Sequence, residues 1–124
     1  MTPSSTKLRS QLRALDTRRR ALLRRTIRSD ELAVGTVSWV ERKCGRAGCH
    51  CAEGSGHRQL QFLFADAGGT RRCKLIRKAD EERLLQANEH YRAVRDDLRE
   101  LVAIQKREHA LLMALTRTRG LNYE

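Results

Sequence analysis

Cys44-Gly45-Arg46-Ala47-Gly48-Cys49-His50-Cys51, followed six residues later by His57, packs three of the chain's four cysteines and two of its four histidines into fourteen residues. Soft ligands clustered with glycines between them form the pattern of a metal site, and Zn²⁺ is the metal that such donors favour. In extended backbone, side chains two apart share a side, so Cys49 and Cys51 are expected to face one ion while His50 turns away. Gly45 and Gly48 allow the tight turn that a metal knuckle needs. Three thiolates, from Cys44, Cys49 and Cys51, with the imidazole of His57 would close a tetrahedral zinc site. His57 follows Gly54-Ser55-Gly56, a flexible return. Cys73 is a rival fourth ligand, though its expected place is a small buried residue beside Leu75; His50 ranks third. The alternative for the whole cluster is reduced thiols without a metal. A Cys49–Cys51 disulfide is disfavoured, because so short a loop strains the bond.

A catalytic zinc keeps one position open and has a general base nearby. This cluster offers four ligands, Glu53 is its one carboxylate, and the zinc-deaminase arrangement is missing from the chain. The expected role is structural, with the metal supplying much of the folding energy of a segment too short to bury much core.

Around the cluster the sequence alternates with a period of two. Val37 and Trp39 alternate with Thr36, Ser38 and Val40; Leu60, Phe62 and Phe64 with Gln59 and Gln61; Cys73 and Leu75 with Arg72 and Lys74. Each run reads as a short strand with one face inward. Asp66-Ala67-Gly68-Gly69 marks a turn between the second and third. The metal loop joins the first strand to the second, which gives a three-stranded antiparallel sheet over residues 32–78.

Helices flank this unit. Residues 1–31 carry a basic helix from about Ser5 to Asp30, with Leu8, Leu12, Leu15, Leu22, Leu23 and Ile27 on one stripe that Arg19 interrupts. Residues 79–124 carry a long helix from about Asp80 to Arg119, with acids in its first turn and Gly120 as a stop. Leu84, Ala87, Tyr91, Val94, Leu98, Leu101, Leu112 and Leu115 follow a 3-4 repeat there, broken at Gln105 and Glu108. Such a seam needs the first helix, a second copy of itself, or both. The expected fold is therefore α+β: a small three-stranded antiparallel zinc-bound β unit between two long helices that form a helical hairpin or coiled coil, one structural domain overall.

The 124 residues carry a net charge of +11. A small domain this basic is expected to meet a polyanion, nucleic acid before an anionic membrane surface. No run is long and apolar enough to span a bilayer, and Met1-Thr2-Pro3-Ser4 lacks the apolar core of a secretory signal, so a cytoplasmic protein with reduced thiols is expected. Residues 1–29 hold nine Lys/Arg against Asp16, and residues 41–78 hold nine against three acids, while the last third is near neutral. Arg42, Lys43, Arg46, Arg58, Arg71, Arg72, Lys74, Arg77 and Lys78 lie in or beside the metal unit, and Arg72, Lys74 and Lys78 are expected to share one face of the third strand. Lys7, Arg9, Arg13, Arg18, Arg19, Arg20, Arg24, Arg25 and Arg28 make the first helix basic. These are the candidate phosphate contacts. Trp39, Phe62 and Phe64 could stack on bases, but at strand spacing they are expected in the core.

With Gly35-Thr36-Val37, Cys44 through Cys51 and Gly54-Ser55-Gly56-His57 in view, the chain resembles an uncharacterised bacterial family known only as a domain of unknown function. The resemblance covers roughly residues 33–105. It implies Cys44, Cys49, Cys51 and His57 as the ligand set, a hairpin from Leu60 to Ile76 and a helix from near Asp80. Family members often carry Pro and aromatic residues after the histidine, where this chain has Arg58-Gln59-Leu60. Genes of the family often lie near transposases or recombinases, which implies an accessory role in a mobile element. The expectation is a non-enzymatic, zinc-stabilised DNA-binding accessory protein that acts as a homo-oligomer beside a transposase or recombinase. The competing expectation is an adaptor that binds another protein through its helices.

Overall fold

The computed structural model describes residues 4–54 and 56–123. Met1, Thr2 and Pro3, on which the signal-sequence reading drew, and Ser55 of the glycine return lie outside the described residues, as does Glu124. In chain order the elements are α1 (Ser5–Thr26), β1 (Thr36–Arg42), a 3₁₀ turn (His50–Glu53), β2 (His57–Ala65), β3 (Arg71–Ile76), a second 3₁₀ turn (Lys78–Asp80) and α2 (Glu81–Thr118). The fold is α+β, with a three-stranded antiparallel sheet in the order β1-β2-β3 between the two helices in sequence. No helix among the described residues is long and apolar enough to cross a membrane. Two compact units divide the chain: one is the chain up to Ser29 with Ala93 onward, the other Asp30–Arg92.

In the first unit, α1 starts where the sequence places it, because the Ser4 hydroxyl accepts a hydrogen bond from the Lys7 N–H at 3.2 Å. It ends at Thr26, short of the expected Asp30. Ile27 is 72% exposed, so a longer helix would bury nothing more. Leu8 and Leu22 are fully buried and Leu12, Leu15 and Arg19 half-buried, one stripe at 4-3-4-3 spacing. Leu23 and Ile27 fall off it and are exposed.

The C-terminal part of α2 runs antiparallel to α1. Arg18 donates two hydrogen bonds to Glu100, at 2.6 and 2.9 Å, and Arg25 donates two to Asp97, at 3.2 and 2.7 Å. The seam partner is thus supplied from within the chain. Leu84, Ala87, Tyr91, Val94, Leu101 and Leu115 are buried or half-buried, as the repeat indicates. Ile104 and Leu111 are buried, whereas Leu98 and Leu112 are about half exposed. The 3-4 spacing of covered positions runs along α2 with a step of three, not four, from Val94 to Asp97, which moves the seam from Leu98 to Asp97 and from Leu112 to Leu111. The part up to Arg92 belongs to the second unit and the rest serves α1. Gln105 is therefore no break but an exposed residue, and Glu108 lies on the seam itself, half-buried. It faces Arg19 at 3.4 Å, so the polar residue of the α1 stripe meets a polar residue of the α2 seam.

In the second unit, the sheet is pinned to α2 by Asn88, which is 3% exposed and donates from its amide to the carbonyls of Ala33 and Gly35, both at 3.0 Å. Gly35 lies so close to β2 that a Cβ there would stand 2.2 Å from the Leu63 carbonyl oxygen. Residues opposite one another in an antiparallel pair share a face. Val37 pairs with Phe62, Trp39 with Leu60, Leu60 with Ile76, Phe62 with Lys74 and Phe64 with Arg72. This is the inner face, centred on the fully buried Leu60. The first two strands point as their alternation indicates. Trp39 is nevertheless 40% exposed, with the Arg58 guanidinium 4.3 Å over its ring, while Phe62 and Phe64 stack on each other.

The third strand is reversed from expectation. Cys73 pairs with Leu63 and Leu75 with Gln61, which puts both on the outer face, and both are exposed. Arg72 and Lys74 stand on the inner face beyond the phenylalanines. The turn decides this register. Asp66 and Thr70 close it through an Asp66 N–H bond to the Thr70 carbonyl at 2.9 Å, Gly69 takes φ +82°, and Ala65 is left opposite Arg71. Lys78 is not on the strand at all, since the chain leaves the sheet after Ile76 and turns at Lys78–Asp80.

Candidate metal centre

The sheet assembles the centre by bringing two chain positions together. Arg42, the last residue of β1, is paired with His57, the first of β2. The loop between them must leave and return at one point, and Cys44 and His57 sit at its two ends. Inside the loop, Gly45 and Gly48 both have φ +77°, with open space where a side chain would stand. The Cys49 N–H donates to the Arg46 carbonyl at 3.3 Å, and the Ala52 N–H to the Cys49 carbonyl at 3.1 Å. Lys43 ties the loop across its width, its Nζ donating to the Ala52 carbonyl at 3.0 Å.

These turns bring four donor atoms together. The Sγ atoms of Cys44, Cys49 and Cys51 and a ring nitrogen of His57 all lie within 4.8 Å of one another. Cys44 and Cys51 sulfurs are 3.4 Å apart, and Cys49 Sγ is 3.3 Å from His57 Nε2. A tetrahedral ion with metal–sulfur bonds of about 2.3 Å sets its donors about 3.8 Å apart, so the four residues fit one small cation with small adjustments, the closest pairs moving apart and wider ones closing. Cys51 is buried and Cys44 exposed at the loop surface.

The sulfurs are electrostatically unequal. The Cys44 thiol is lowered to about 6, chiefly by the Arg46 backbone N–H and then by hydrogen bonds from Cys51 and Cys49. At Cys51, the Cys44 N–H, 3.3 Å from the sulfur, favours the thiolate most. Burial and the neighbouring thiols together outweigh it and push this pKa up.

The predicted ligand set is therefore gathered, with one change of reason. Cys51 lies in a 3₁₀ turn and not in extended backbone, so the loop's two turns, and not strand alternation, converge Cys49 and Cys51. His50 stays outside the donor cluster, its ring edge-on to His57 at 5.6 Å between centroids. Cys73 is on the outer face of β3, exposed and outside the cluster. Gly56 is a determinant that the sequence reading treated only as flexible. At φ +94°, a Cβ there would lie 2.5 Å from the Arg42 carbonyl carbon, so only glycine lets the chain re-enter the sheet before His57.

The basic candidates divide by what holds them. On α1, Arg18 and Arg25 are paired to Glu100 and Asp97. Arg19 is half-buried between Asp16 and Glu108, with its Nε given no aligned hydrogen bond, and Arg20 pairs with Asp16 at 2.9 Å. Arg24 is exposed without a carboxylate partner among the described residues. Around the sheet, Arg72 is held by Asp66 at 2.9 Å, Arg77 by Asp80 at 3.1 Å, and Arg58 by Trp39. Arg42, Lys43, Arg46, Arg71, Lys74 and Lys78 are exposed and in no ion pair among the described residues. No protein-family model, curated protein or solved structure matches the chain.

Proposed function

We propose that Cys44, Cys49, Cys51 and His57 hold one structural Zn²⁺ ion and that the protein is a cytoplasmic, non-enzymatic DNA-binding accessory protein. The donor set supports zinc, because three sulfurs and an imidazole suit it and discriminate against hard cations. Bound there, zinc supplies folding energy by tying the end of β1 to the start of β2. The observation that carries the DNA reading is that Arg42, Lys43 and Arg46 stand in or beside the ligand loop itself, exposed and free of carboxylates. A rigid loop that presents cations is suited to phosphate oxygens, which position a protein on a duplex without reading its sequence. A role beside a transposase or recombinase follows from the family resemblance and is part of this proposal, as is assembly into a homo-oligomer through the long helices.

Zinc content and duplex retention test it together. The intact protein is expected to carry one zinc per chain, and a strong chelator to remove it and melt the β1–β2 pairing. Retention on duplex DNA at about 0.1 M salt is expected to exceed that of a neutral protein of equal size and to fall steeply with salt. Equal retention overturns the DNA reading, and an oxygen ligand in the metal's X-ray absorption spectrum overturns the closed structural site.

The adaptor reading has one observation in its favour: Leu98, Val102, Leu112 and Met113 of α2 are all near half exposed. Charge reversal of Lys43, Arg46 and Lys74 separates the readings. A DNA binder loses affinity, whereas an adaptor that uses α2 keeps its partner.

A further inference from the structure

The arginines of α1 are not one patch. At about 100° per residue, Arg18 and Arg25 fall together on one side of the helix, next to the buried stripe. There each is spent on an acid of α2: Arg18 on Glu100, and Arg25 on Asp97, whose side chain is only 13% exposed. Arg19 lies in the stripe itself, between Asp16 and Glu108. A phosphate could recruit these three only by displacing carboxylates that join the two helices.

Arg9, Arg13, Arg20 and Arg24 fall within an arc of about 60° on a different side, roughly 130° from the middle of the buried stripe. All four are exposed. Arg9, Arg13 and Arg24 have no side-chain partner among the described residues. Arg20 shares Asp16 with Arg19 and remains 68% exposed. Their spacings of four, seven and four residues spread them along about 22 Å of helix at ~1.5 Å per residue. Duplex DNA presents about one negative charge per 1.7 Å of its axis with both strands counted, so a cationic row of this length laid along a backbone comes within side-chain reach of several phosphates.

We infer that the face of α1 carrying Arg9, Arg13, Arg20 and Arg24 lies along the phosphate backbone of duplex DNA, while Arg18, Arg19 and Arg25 hold the helical hairpin and make no phosphate contact. The inference rests on the DNA reading above and divides the labour within it. Contact is to phosphate oxygens alone, so it confers affinity and salt dependence but no base preference. Glutamine preserves helix propensity while removing the charge, which makes it the substitution of choice.

The test is binding of a 20-base-pair duplex, by fluorescence anisotropy across a salt series, with the zinc-loaded full chain. Three variants are compared: Arg9→Gln/Arg13→Gln/Arg20→Gln/Arg24→Gln, Arg18→Gln/Arg25→Gln, and Lys43→Gln/Arg46→Gln/Lys74→Gln. At about 0.9 per phosphate neutralised, the first variant is expected to lower the slope of log K against log salt by about 3 to 4 with helix content unchanged. The second is expected to change the slope by less than about 1 and to lower the melting temperature instead. A first variant with the intact slope, beside a third that loses affinity, overturns this inference and leaves the DNA reading standing. A second variant that flattens the slope as much as the first overturns the division of labour. If the intact protein does not bind the duplex at all, the DNA reading falls and takes this inference with it.

Discussion

Gly56 shows how far a single residue of this chain depends on what lies opposite it. The four clustered donors were legible because their information is local: sulfur, imidazole and glycine within a short span. The demand on Gly56 was not, because it comes from the Arg42 backbone across the loop, against which a side chain would collide. Gly56→Ala should displace the start of β2 and carry His57 off the site. The strain of a non-glycine residue at such a position is about 1–3 kcal/mol, which corresponds to a loss of metal affinity of about 5- to 150-fold, measurable by competition with a chromogenic chelator. Cys73 gives the opposite expectation. It is exposed on the outer face and outside the donor cluster, so Cys73→Ser should keep one metal per chain by elemental analysis, whereas Cys49→Ser should not.

At the scale of elements, the helices and strands were readable from periodicity, and the errors share one cause. A period reveals which residues line up but not which neighbour they face. In β3, apolar Cys73 and Leu75 pointed to the wrong side because turn geometry, not hydrophobicity, sets the register there. In α2, the repeat holds at Val94, Leu101 and Leu115 but passes through Asp97 and Leu111 in place of Leu98 and Leu112, because an acid on the seam leaves no apolar mark in the sequence. Arg19 and Glu108 each interrupted a stripe, and only the antiparallel pairing of α1 with α2 shows that they answer one another. Removing either alone leaves the other half-buried charge without its partner across the helix pair, so Arg19→Leu and Glu108→Leu should each destabilise the hairpin, by up to about 3 kcal/mol. The double substitution should restore most of this loss, because an apolar pair fills the same seam. Chemical denaturation of the four proteins measures the coupling, and additive losses would show that the two charges do not interact.

For the molecule as a whole, acid is the discriminating stress. Glu31 is held below the ordinary carboxylate range by its hydrogen bonds from Arg83, Glu100 by those from Arg18, and Asp66 by Arg72 and the turn's Thr70 and Gly68 N–H groups. The folded state therefore binds fewer protons than the unfolded chain in this range. The stability these groups lend is complete above the ordinary carboxylate pKa values and is lost as pH falls through the depressed ones. The melting temperature should decline below about pH 5, modestly, since these pairs are exposed and screened. Glu100→Gln should remove part of that decline. Loss of a bound metal in acid would act in the same direction but is not touched by this substitution, so the difference between the two melting curves isolates the helix pair. Composition gave the positive charge of the chain correctly but not its distribution, because much of what α1 carries is answered by acids seventy or more residues further on, such as Asp97 and Glu100.

His57 is both one of the four clustered candidate donors and the terminal rung of the β1–β2 ladder, opposite Arg42. An ion held by the proposed site would lose its imidazole most readily when that rung opens, so the exchange rate of a tracer isotope is expected to follow the opening of the rung seen by amide deuterium uptake.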